Sequence, residues 1–486
     1  MTTWHFTQSG GGRRWLAALV LVSLASSCAA LAQPSSWTIP SSEDIRALLA
    51  KRMEHNGVGV VVGVIEPAGR RVVVYGRSGA ADGRPLDGDA LFQIGSISKT
   101  FVGLLLADMV LKGEVKLDDP ASKYLPAGVK MPQRGRPITL VDLSLHVSGL
   151  PRMPTNFDLH GEPDPIEAYS VEDLYRFLST YTPLREPGVR YEYSNLGVSL
   201  LGRLLGLRAG KEYEDLVKER VLIPLGMAST SVRLSPEQLK RVAPGHEKDL
   251  LPVHSPEMRT LYPSGSMRSS ANDLLNYLAA YLGYRDTPLK QAMAYQLTVP
   301  SVPVSQTPQV PSAPQQGLGM KFRQAEGRAL VYHDGDKDGY RNVIAFDRER
   351  RIGVVVLENA RTDDLPQALA RHLLTGEPLS LAPPAVPVRA FARIDTAVLD
   401  CYEGEYRFDE SRLFRVARKQ DYLLIDDVGN GPEPFFAKSA REFGMRVDSP
   451  EVVFRTDAAG KVIGMTLYPR GRNAPTSPLE GVRVER

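Results

Sequence analysis

The sequence is poor in cysteine, in net charge and in long apolar runs. Two cysteines, Cys28 and Cys401, exclude a disulfide-rich scaffold and a cysteine-based zinc finger. The 59 Lys plus Arg residues nearly balance the 56 Asp plus Glu residues, and a net charge of +3 gives no electrostatic attraction to nucleic acid. The hydrophobic fraction of 43% and the charged fraction of 24% are those of a globular protein rather than of a disordered chain.

The N-terminal segment contains an apolar run that is too short to cross a membrane. The run covers residues 16–24, whereas a membrane-spanning helix needs about 20 residues. It follows Arg13 and Arg14 and precedes an Ala-Leu-Ala sequence, a pattern typical of a cleaved signal peptide. We therefore expect a signal peptide over residues 1–32 and a periplasmic or secreted mature protein. Cys28 leaves a lipid anchor as the alternative.

A change in composition divides the remaining chain into two predicted domains. Residues 33–380 have strand-like runs at both ends and helical patterns between them. Residues 381–390 are rich in proline and are interpreted as a linker. Short strand-like runs then predict a small all-β domain over residues 391–486, of sandwich or lipocalin-like barrel type. Five prolines within residues 299–314 predict a surface loop.

The pair Ser96 and Lys99 stands at the start of a helix predicted to run to Gly113. That helix is apolar almost all round, which is typical of a buried helix. Residues three apart share a helix face, and burial lowers the pKa of a lysine from about 10.4 toward neutrality. A neutral amine can then accept the serine proton and make the serine a nucleophile. A bare Ser-x-x-Lys match arises by chance on the order of once or twice in a chain this long.

Two further segments carry groups suited to catalysis. Tyr193 and Asn195 lie at a predicted strand-to-helix junction, where the phenol can move a proton and the amide can orient a substrate. A second Tyr-x-Asn, at residues 340–342, lies within a strand pattern and is interpreted as structural. Residues 333–336 read His-Asp-Gly-Asp and end a predicted edge strand that could pair with an extended peptide. There Gly335 would let a ligand approach the backbone closely.

The same segment partly matches a calcium loop. Asp334, Asp336 and Asp338 have the spacing of its first half, but Ala345 stands where the loop needs glutamate. The eight histidines contain no His-Glu-x-x-His pair. We therefore expect neither a metal nor another cofactor.

These segments together resemble the penicillin-recognising serine hydrolases, in particular their class C β-lactamase branch. The resemblance covers roughly residues 41–375 and includes the segments 115–120, 146–151, 224–227 and 264–269. Around residues 118–151 it is similar to AmpH-type D-alanyl-D-alanine carboxypeptidase/endopeptidases. It implies an α+β fold in which an antiparallel sheet, flanked by helices, lies beside a helical lobe, with a small β-barrel appended.

The resemblance also implies roles for the residues that match its motifs. Ser96 would be acylated, Lys99 would accept its proton, and Tyr193 would pass the proton to the leaving group. Substrate would be bound by the side chain of Asn195, by residues 333–335 and by an oxyanion hole formed by the amides of Ser96 and Asp336.

Three positions depart from the family pattern. His333 replaces a lysine, Asp334 stands where many relatives have Thr or Ser, and Val147 replaces the Thr that usually follows His146. A carboxylate at position 334 should repel the carboxylate of a penicillin or a D-alanine terminus. His146 is interpreted as a residue that braces its loop, and Cys401 as a small buried side chain.

The resulting hypothesis is an exported serine hydrolase acting on peptidoglycan stem peptides as a DD-peptidase or endopeptidase. An esterase or D-amino-acid amidase acting on small esters or amides is the first alternative. A weak class C-type β-lactamase is the second, and a catalytically silent envelope-binding protein is the third. None of these alternatives requires a nucleic-acid partner or an integral membrane span.

Overall fold

The computed structural model describes residues 37–54, 57–162, 164–298, 315–382, 391–446, 450–472 and 476–485. The predicted signal peptide and the proline-rich segment 299–314 lie outside the described residues, as does most of the predicted linker. Within the described part of the chain, no helix is both long and apolar enough to cross a membrane.

Helices dominate the middle of the chain, as the sequence predicts. The bounds of the helices are α1 Ser42–Arg52, α2 Ser98–Leu111, α3 Leu140–Ser144, α4 Pro165–Ala168, α5 Val171–Thr180, α6 Asn195–Ala209, α7 Tyr213–Val217, α8 Pro236–Leu239, α9 Ala271–Tyr281, α10 Lys290–Thr298, α11 Leu365–Thr375 and α12 Thr396–Asp400. Helix α1 begins with a capping box, in which Ser41 and Asp44 satisfy each other's backbone amides. Helix α2 is apolar on every side and is buried over nearly its whole length.

The strands form one open sheet, one closed barrel and one short ribbon. Their bounds are β1 Gly59–Glu66, β2 Gly69–Gly76, β3 Phe92–Gln93, β4 Arg268–Ser269, β5 Gln315–Gln316, β6 Lys321–Ala325, β7 Arg328–Lys337, β8 Tyr340–Asp347, β9 Ile352–Glu358, β10 Gly404–Arg407, β11 Leu413–Lys419, β12 Tyr422–Asp427, β13 Gly431–Ala437, β14 Glu442–Gly444, β15 Glu451–Thr456, β16 Val462–Tyr468 and β17 Leu479–Arg483. The open sheet has the strand order β2-β1-β9-β8-β7-β6-β5 and is antiparallel throughout. Its N-terminal hairpin therefore pairs with strands that are almost 300 residues away in sequence, through the contact of Val61 with Leu357.

Both faces of this sheet are covered. On one face, α2, α6 and α9 pack into the larger hydrophobic cluster, in which Leu105, Leu201 and Leu275 are fully buried. On the other face, α1 and α11 form a smaller cluster through residues such as Leu49 and Leu369. This is the α+β arrangement that the resemblance implies: an antiparallel sheet flanked by helices, with a helical lobe beside it.

Strands β10–β17 close into a barrel with its own aromatic core. Tyr402 stacks on Phe454 with their ring centroids 4.1 Å apart. The outside of the barrel packs against the helical part, because Ala417 and Leu424 belong to the larger cluster of that part. The backbone carbonyl of Gly429 accepts a hydrogen bond of 2.8 Å from the amide of Met153. The barrel is therefore joined to the segment that follows residue 150.

The structure corrects several sequence-based expectations. Strand β7 is longer than predicted and lies between β6 and β8, so it is not an edge strand. Strand β6 pairs only with residues 328–332 of β7, however, and among the described residues no strand pairs with residues 333–337 on that side. Residues 190–193 do not form the predicted strand. Cys401 is exposed rather than buried, because it ends the short helix α12 at the surface.

The close contact of α2 with the segment before β6 gives a stability prediction. An alanine Cβ at Gly103 would lie 2.0 Å from the carbonyl oxygen of Leu318. Helix propensity favours alanine over glycine by about 0.5–1 kcal/mol, whereas forced backbone shifts in a packed core cost about 1–3 kcal/mol. We expect Gly103→Ala to lower the free energy of unfolding in a urea titration. Leu111→Ala, at an exposed position of the same helix, is the control, and a stabilised Gly103→Ala protein would contradict this packing.

Candidate active site

Ser96 lies in a tight turn at the edge of the sheet. The 3-10 turn Gly95–Ile97 leads directly into α2, so Ser96 precedes the helix and Lys99 is in its first turn. The turn is pressed against β7, because a Cβ at Gly335 would lie 2.0 Å from the carbonyl oxygen of Ile94. Gly95 has φ +53° and faces the backbone of Asp336 at the same contact. Glycine is needed at both positions for this approach.

The Lys99 amine is buried and has three polar neighbours. Its Nζ lies 2.7 Å from the Ser264 carbonyl oxygen, 2.8 Å from Asn195 Oδ1 and 3.0 Å from Ser96 Oγ. Burial lowers the pKa of Lys99 well below its usual value, and the positive charges of Arg152 and Lys321 lower it further. A neutral amine has two N–H groups, and these can donate hydrogen bonds to the two carbonyl oxygens. Its remaining lone pair then faces the Ser96 hydroxyl.

The Tyr193 phenol contacts the same serine oxygen. Its hydroxyl donates a hydrogen bond of 2.7 Å to Ser96 Oγ. Burial raises the pKa of Tyr193 above its usual value, while the bond to Ser96 acts in the opposite direction. Tyr193 is therefore a neutral phenol and a proton donor at neutral pH, and Lys99 is left as the base at this oxygen.

His146 fixes the position of the tyrosine. Its ring stacks on that of Tyr193 with centroids 4.4 Å apart, and its Nδ1 accepts a hydrogen bond of 3.0 Å from the amide of Ser194. Burial and nearby cations lower the pKa of His146 well below its usual value, so the ring is neutral. This geometry matches the bracing role that the sequence analysis predicts. The backbone of His146 has φ +60°, a conformation in which a side chain other than glycine is rare.

Asn195 starts α6 and faces the Lys99 amine. Ser194 caps this helix by accepting from the amide of Gly197, which places Asn195 in the first turn. The side-chain oxygen of Asn195 is occupied by Lys99, and its Nδ2 lies 3.6 Å from Met153 Sδ, a weak acceptor. The side-chain oxygen of Asn195 thus already orients the Lys99 amine. If Asn195 binds a substrate amide as predicted, only its NH2 group is left to donate a hydrogen bond to it.

The third predicted segment, residues 333–336, contacts the turn that holds Ser96 mainly through its backbone. His333 is buried, and its Nδ1 contacts the Asp334 carbonyl oxygen at 2.7 Å. Burial lowers the pKa of His333 below its usual value, so it adds no positive charge. The Asp336 carboxylate pairs with Arg341 and Arg361, at 3.2 Å and 2.9 Å, while its backbone lies beside Gly95.

The aspartates of the partial calcium loop each face a cation instead of one another. Asp334 pairs with Lys321 at 2.7 Å, and Asp338 pairs with Lys337 at 3.0 Å. No group of three or more side chains that could hold a metal ion occurs in the described ranges of the chain.

The pair Lys321 and Asp334 is a feature that sequence reasoning missed. Lys321 is opposite Tyr332 in the β6–β7 ladder, so Asp334 is its diagonal neighbour on the same face. The Lys321 ammonium lies 5.8 Å from the centroid of the Tyr193 ring. The expected repulsion of substrate carboxylates by Asp334 is therefore countered, because a lysine neutralises that charge inside the site.

Comparisons with known proteins agree with this architecture. A family model described as Beta-lactamase matches residues 45–377. The D-alanyl-D-alanine-carboxypeptidase/endopeptidase AmpH of Escherichia coli (strain K12) is 34% identical over 196 residues, which are 40% of this chain and 49% of AmpH. This alignment thus spans about half of the length of that relative. Penicillin-binding protein 4* of Bacillus subtilis (strain 168) is 27% identical over 440 residues, covering 85% of this chain and 91% of the relative.

A solved structure supports the same fold. The β-lactamase/D-alanine carboxypeptidase of Yersinia pestis, crystallised with citrate, covers 69% of this chain and 99% of its own, with 24% identity and a TM-score of 0.58. The family model covers more than half of the sequence, and the fold agrees with it. The chain therefore belongs to the Beta-lactamase family, a family of serine hydrolases that act by acyl transfer.

Proposed function

We propose that Ser96 is the acylated nucleophile and that the natural substrates are peptidoglycan stem peptides, cleaved as by a DD-peptidase or endopeptidase. The single observation that supports this most is the hydrogen bonding of Lys99. Two carbonyl oxygens can accept from the N–H groups of a neutral Lys99, and Ser96 Oγ, 3.0 Å from the same nitrogen, is then the group left to donate to its lone pair. That arrangement favours transfer of the serine proton to the amine.

In the acylation step, the Ser96 proton moves to Lys99 while Oγ forms a bond to the substrate carbonyl carbon. The amides of Ser96 and Asp336 would stabilise the oxyanion, since β7 lies against the turn that holds the serine. The bond to the leaving nitrogen then breaks, and the nitrogen takes the Tyr193 proton. Lys99 then passes the proton that it took from Ser96 to the Tyr193 oxygen, by way of the serine oxygen that both groups contact. In deacylation, water attacks the acyl carbon and the same proton transfers run in the opposite direction. The acyl group leaves as a carboxylic acid, and Ser96 regains its proton.

The surroundings of the site favour an extended peptide with a free carboxylate. Among the described strands none pairs with residues 333–337 of β7 on the β6 side, and this edge suits main-chain hydrogen bonds to a peptide. The charge of Asp334 is balanced by Lys321, which reduces its repulsion of an anionic substrate. The relatives described as AmpH and as a penicillin-binding protein support the same substrate class.

The first prediction concerns covalent labelling. A fluorescent penicillin and a fluorophosphonate should both label the protein, and both labels should be lost in Ser96→Ala, because acylation needs the Oγ atom. Labelling is read on a denaturing gel, and intact mass locates the adduct. Ser148→Ala, at a buried serine of another segment, is the matched control and should keep both labels. Labelling by the fluorophosphonate alone would favour the esterase alternative, and labelling by neither would favour the silent binding protein.

The second prediction concerns pH. Lys99 must be neutral to accept a proton, and its pKa is lowered from the usual value. The acylation rate should therefore fall as the pH drops through the lowered pKa, and should be constant above it. Lys99→Ala should acylate about 10²–10⁴-fold more slowly and lack this acidic limb. Rapid-quench rates with the fluorescent penicillin measure both effects. If the acylation rate of Lys99→Ala still fell in the same pH range, the titrating group would be a residue other than Lys99.

The location in the cell envelope is part of the same proposal. Peptidoglycan lies outside the cytoplasm, so the enzyme must be exported, and residues 1–32 have the pattern of a signal peptide. N-terminal sequencing of the protein recovered from its native host should begin at Gln33. A mature chain that begins at a lipid-modified Cys28 would support the anchored alternative instead.

A further inference from the structure

Arg152 places an exposed guanidinium group beside the Tyr193 ring of the Ser96 site. Its side chain is exposed, and its guanidinium carbon lies 5.4 Å from the centroid of the Tyr193 ring. Its backbone is fixed, because the carbonyl oxygen accepts hydrogen bonds of 3.0 Å and 3.1 Å from the amides of Asn195 and Leu196. The side chain therefore extends from a rigid position next to the phenol that contacts the nucleophile.

The other basic groups around Ser96 carry no free positive charge. Lys99, His146 and His333 all have pKa values lowered by burial. Lys321 is paired with Asp334 at 2.7 Å. Arg152 has no carboxylate partner among the residues that the structure describes. Within the described part of the site, Arg152 is thus the cation without a charge partner.

We propose that Arg152 binds an anionic group of the substrate and makes the enzyme selective for substrates with a carboxylate close to the bond that is cleaved. A guanidinium has a planar fork of N–H groups that matches a carboxylate, and its charge is permanent. The contact of the guanidinium with the Tyr193 ring keeps this fork close to the nucleophile. The inference rests on the proposed function only in that Ser96 must react.

Lys321 is a second cation near the nucleophile, and its charge is paired with that of Asp334. Lys321 lies within reach of the same ring, at 5.8 Å from its centroid, but Asp334 neutralises it. Removal of the Asp334 charge would leave two free cations beside the nucleophile. Asp334 therefore limits, rather than prevents, the binding of anionic substrates.

The experiment compares pairs of substrates that differ in one charge. The first pair is an N-acyl-D-Ala-D-Ala peptide and its C-terminal carboxamide, and the second is mono-p-nitrophenyl succinate and p-nitrophenyl butyrate. Arg152→Gln should lower the ratio of kcat/KM for the acid member to kcat/KM for the neutral member by about tenfold to a hundredfold, as expected for the loss of one charge-assisted hydrogen bond. The lost charge also acts on Lys99, but that effect is common to both members of a pair and cancels in the ratio. Arg152→Lys should retain part of the preference.

Two further variants complete the test. Asp334→Asn should raise kcat/KM for the acid members several-fold by unmasking Lys321. Arg470→Gln, at an exposed position of the barrel, removes the same charge from the protein and should change neither ratio. If Arg152→Gln slows acid and neutral substrates equally, Arg152 only positions Tyr193 and the inference is wrong. A wild-type protein without preference for the acid members overturns it as well.

The outcomes separate this inference from the proposed function. Cleavage of the ester pair but not of the peptide pair would contradict the stem-peptide assignment, and the Arg152 ratio would then be read from the esters. Turnover of neither pair, together with absent fluorophosphonate labelling, would contradict both proposals. Thermal unfolding of each variant should match the wild type, because Arg152 is exposed and Asp334 is only partly buried.

Discussion

The proposed chemistry depends on one buried amine, which no carboxylate of the described residues contacts directly. Lys99 is almost completely buried, and its hydrogen-bond partners are a backbone carbonyl, an amide oxygen and a serine hydroxyl. A carboxylate in their place would favour the charged ammonium and remove the base. Uncharged acceptors satisfy the N–H groups without stabilising that charge. The rest of the site follows from keeping the lysine in this environment.

Three distant parts of the chain build that environment. Helix α2 supplies the lysine, the start of α6 supplies Asn195, and the 3-10 turn Tyr262–Ser264 supplies a carbonyl oxygen. Each is anchored in the larger hydrophobic cluster, so the positions of the polar atoms are set by packing between helices. Strand β7 closes the remaining side through contacts that only glycine permits, at Gly335 and Gly95.

The sequence predicts the parts of this site that carry a local pattern. The apolar sequence of α2 identifies it as a buried helix, and the spacing of Ser96 and Lys99 then brings these two side chains together. Tyr193 and Asn195 are also recognisable, although the preceding residues form an irregular segment instead of a strand. The features that the sequence does not predict depend on which segments pair with each other. Lys321 meets Asp334 only through the register of the β6–β7 hairpin, and β6 has no clear strand pattern of its own.

The attachment of the barrel has a consequence for how this enzyme can diversify. The backbone of Gly429, in the β12–β13 hairpin, accepts a hydrogen bond from the amide of Met153, and the sulfur of Met153 lies 3.6 Å from the side-chain nitrogen of Asn195. A residue beside the reaction centre is thus held in part by a hairpin of the barrel. If Ser96 and Lys99 react as proposed, remodelling of that hairpin can move Met153 and change which molecules the cleft accepts, while every reacting group stays the same. In such a lineage, new specificities can arise by recombination of an accessory fold rather than by mutation of the catalytic core.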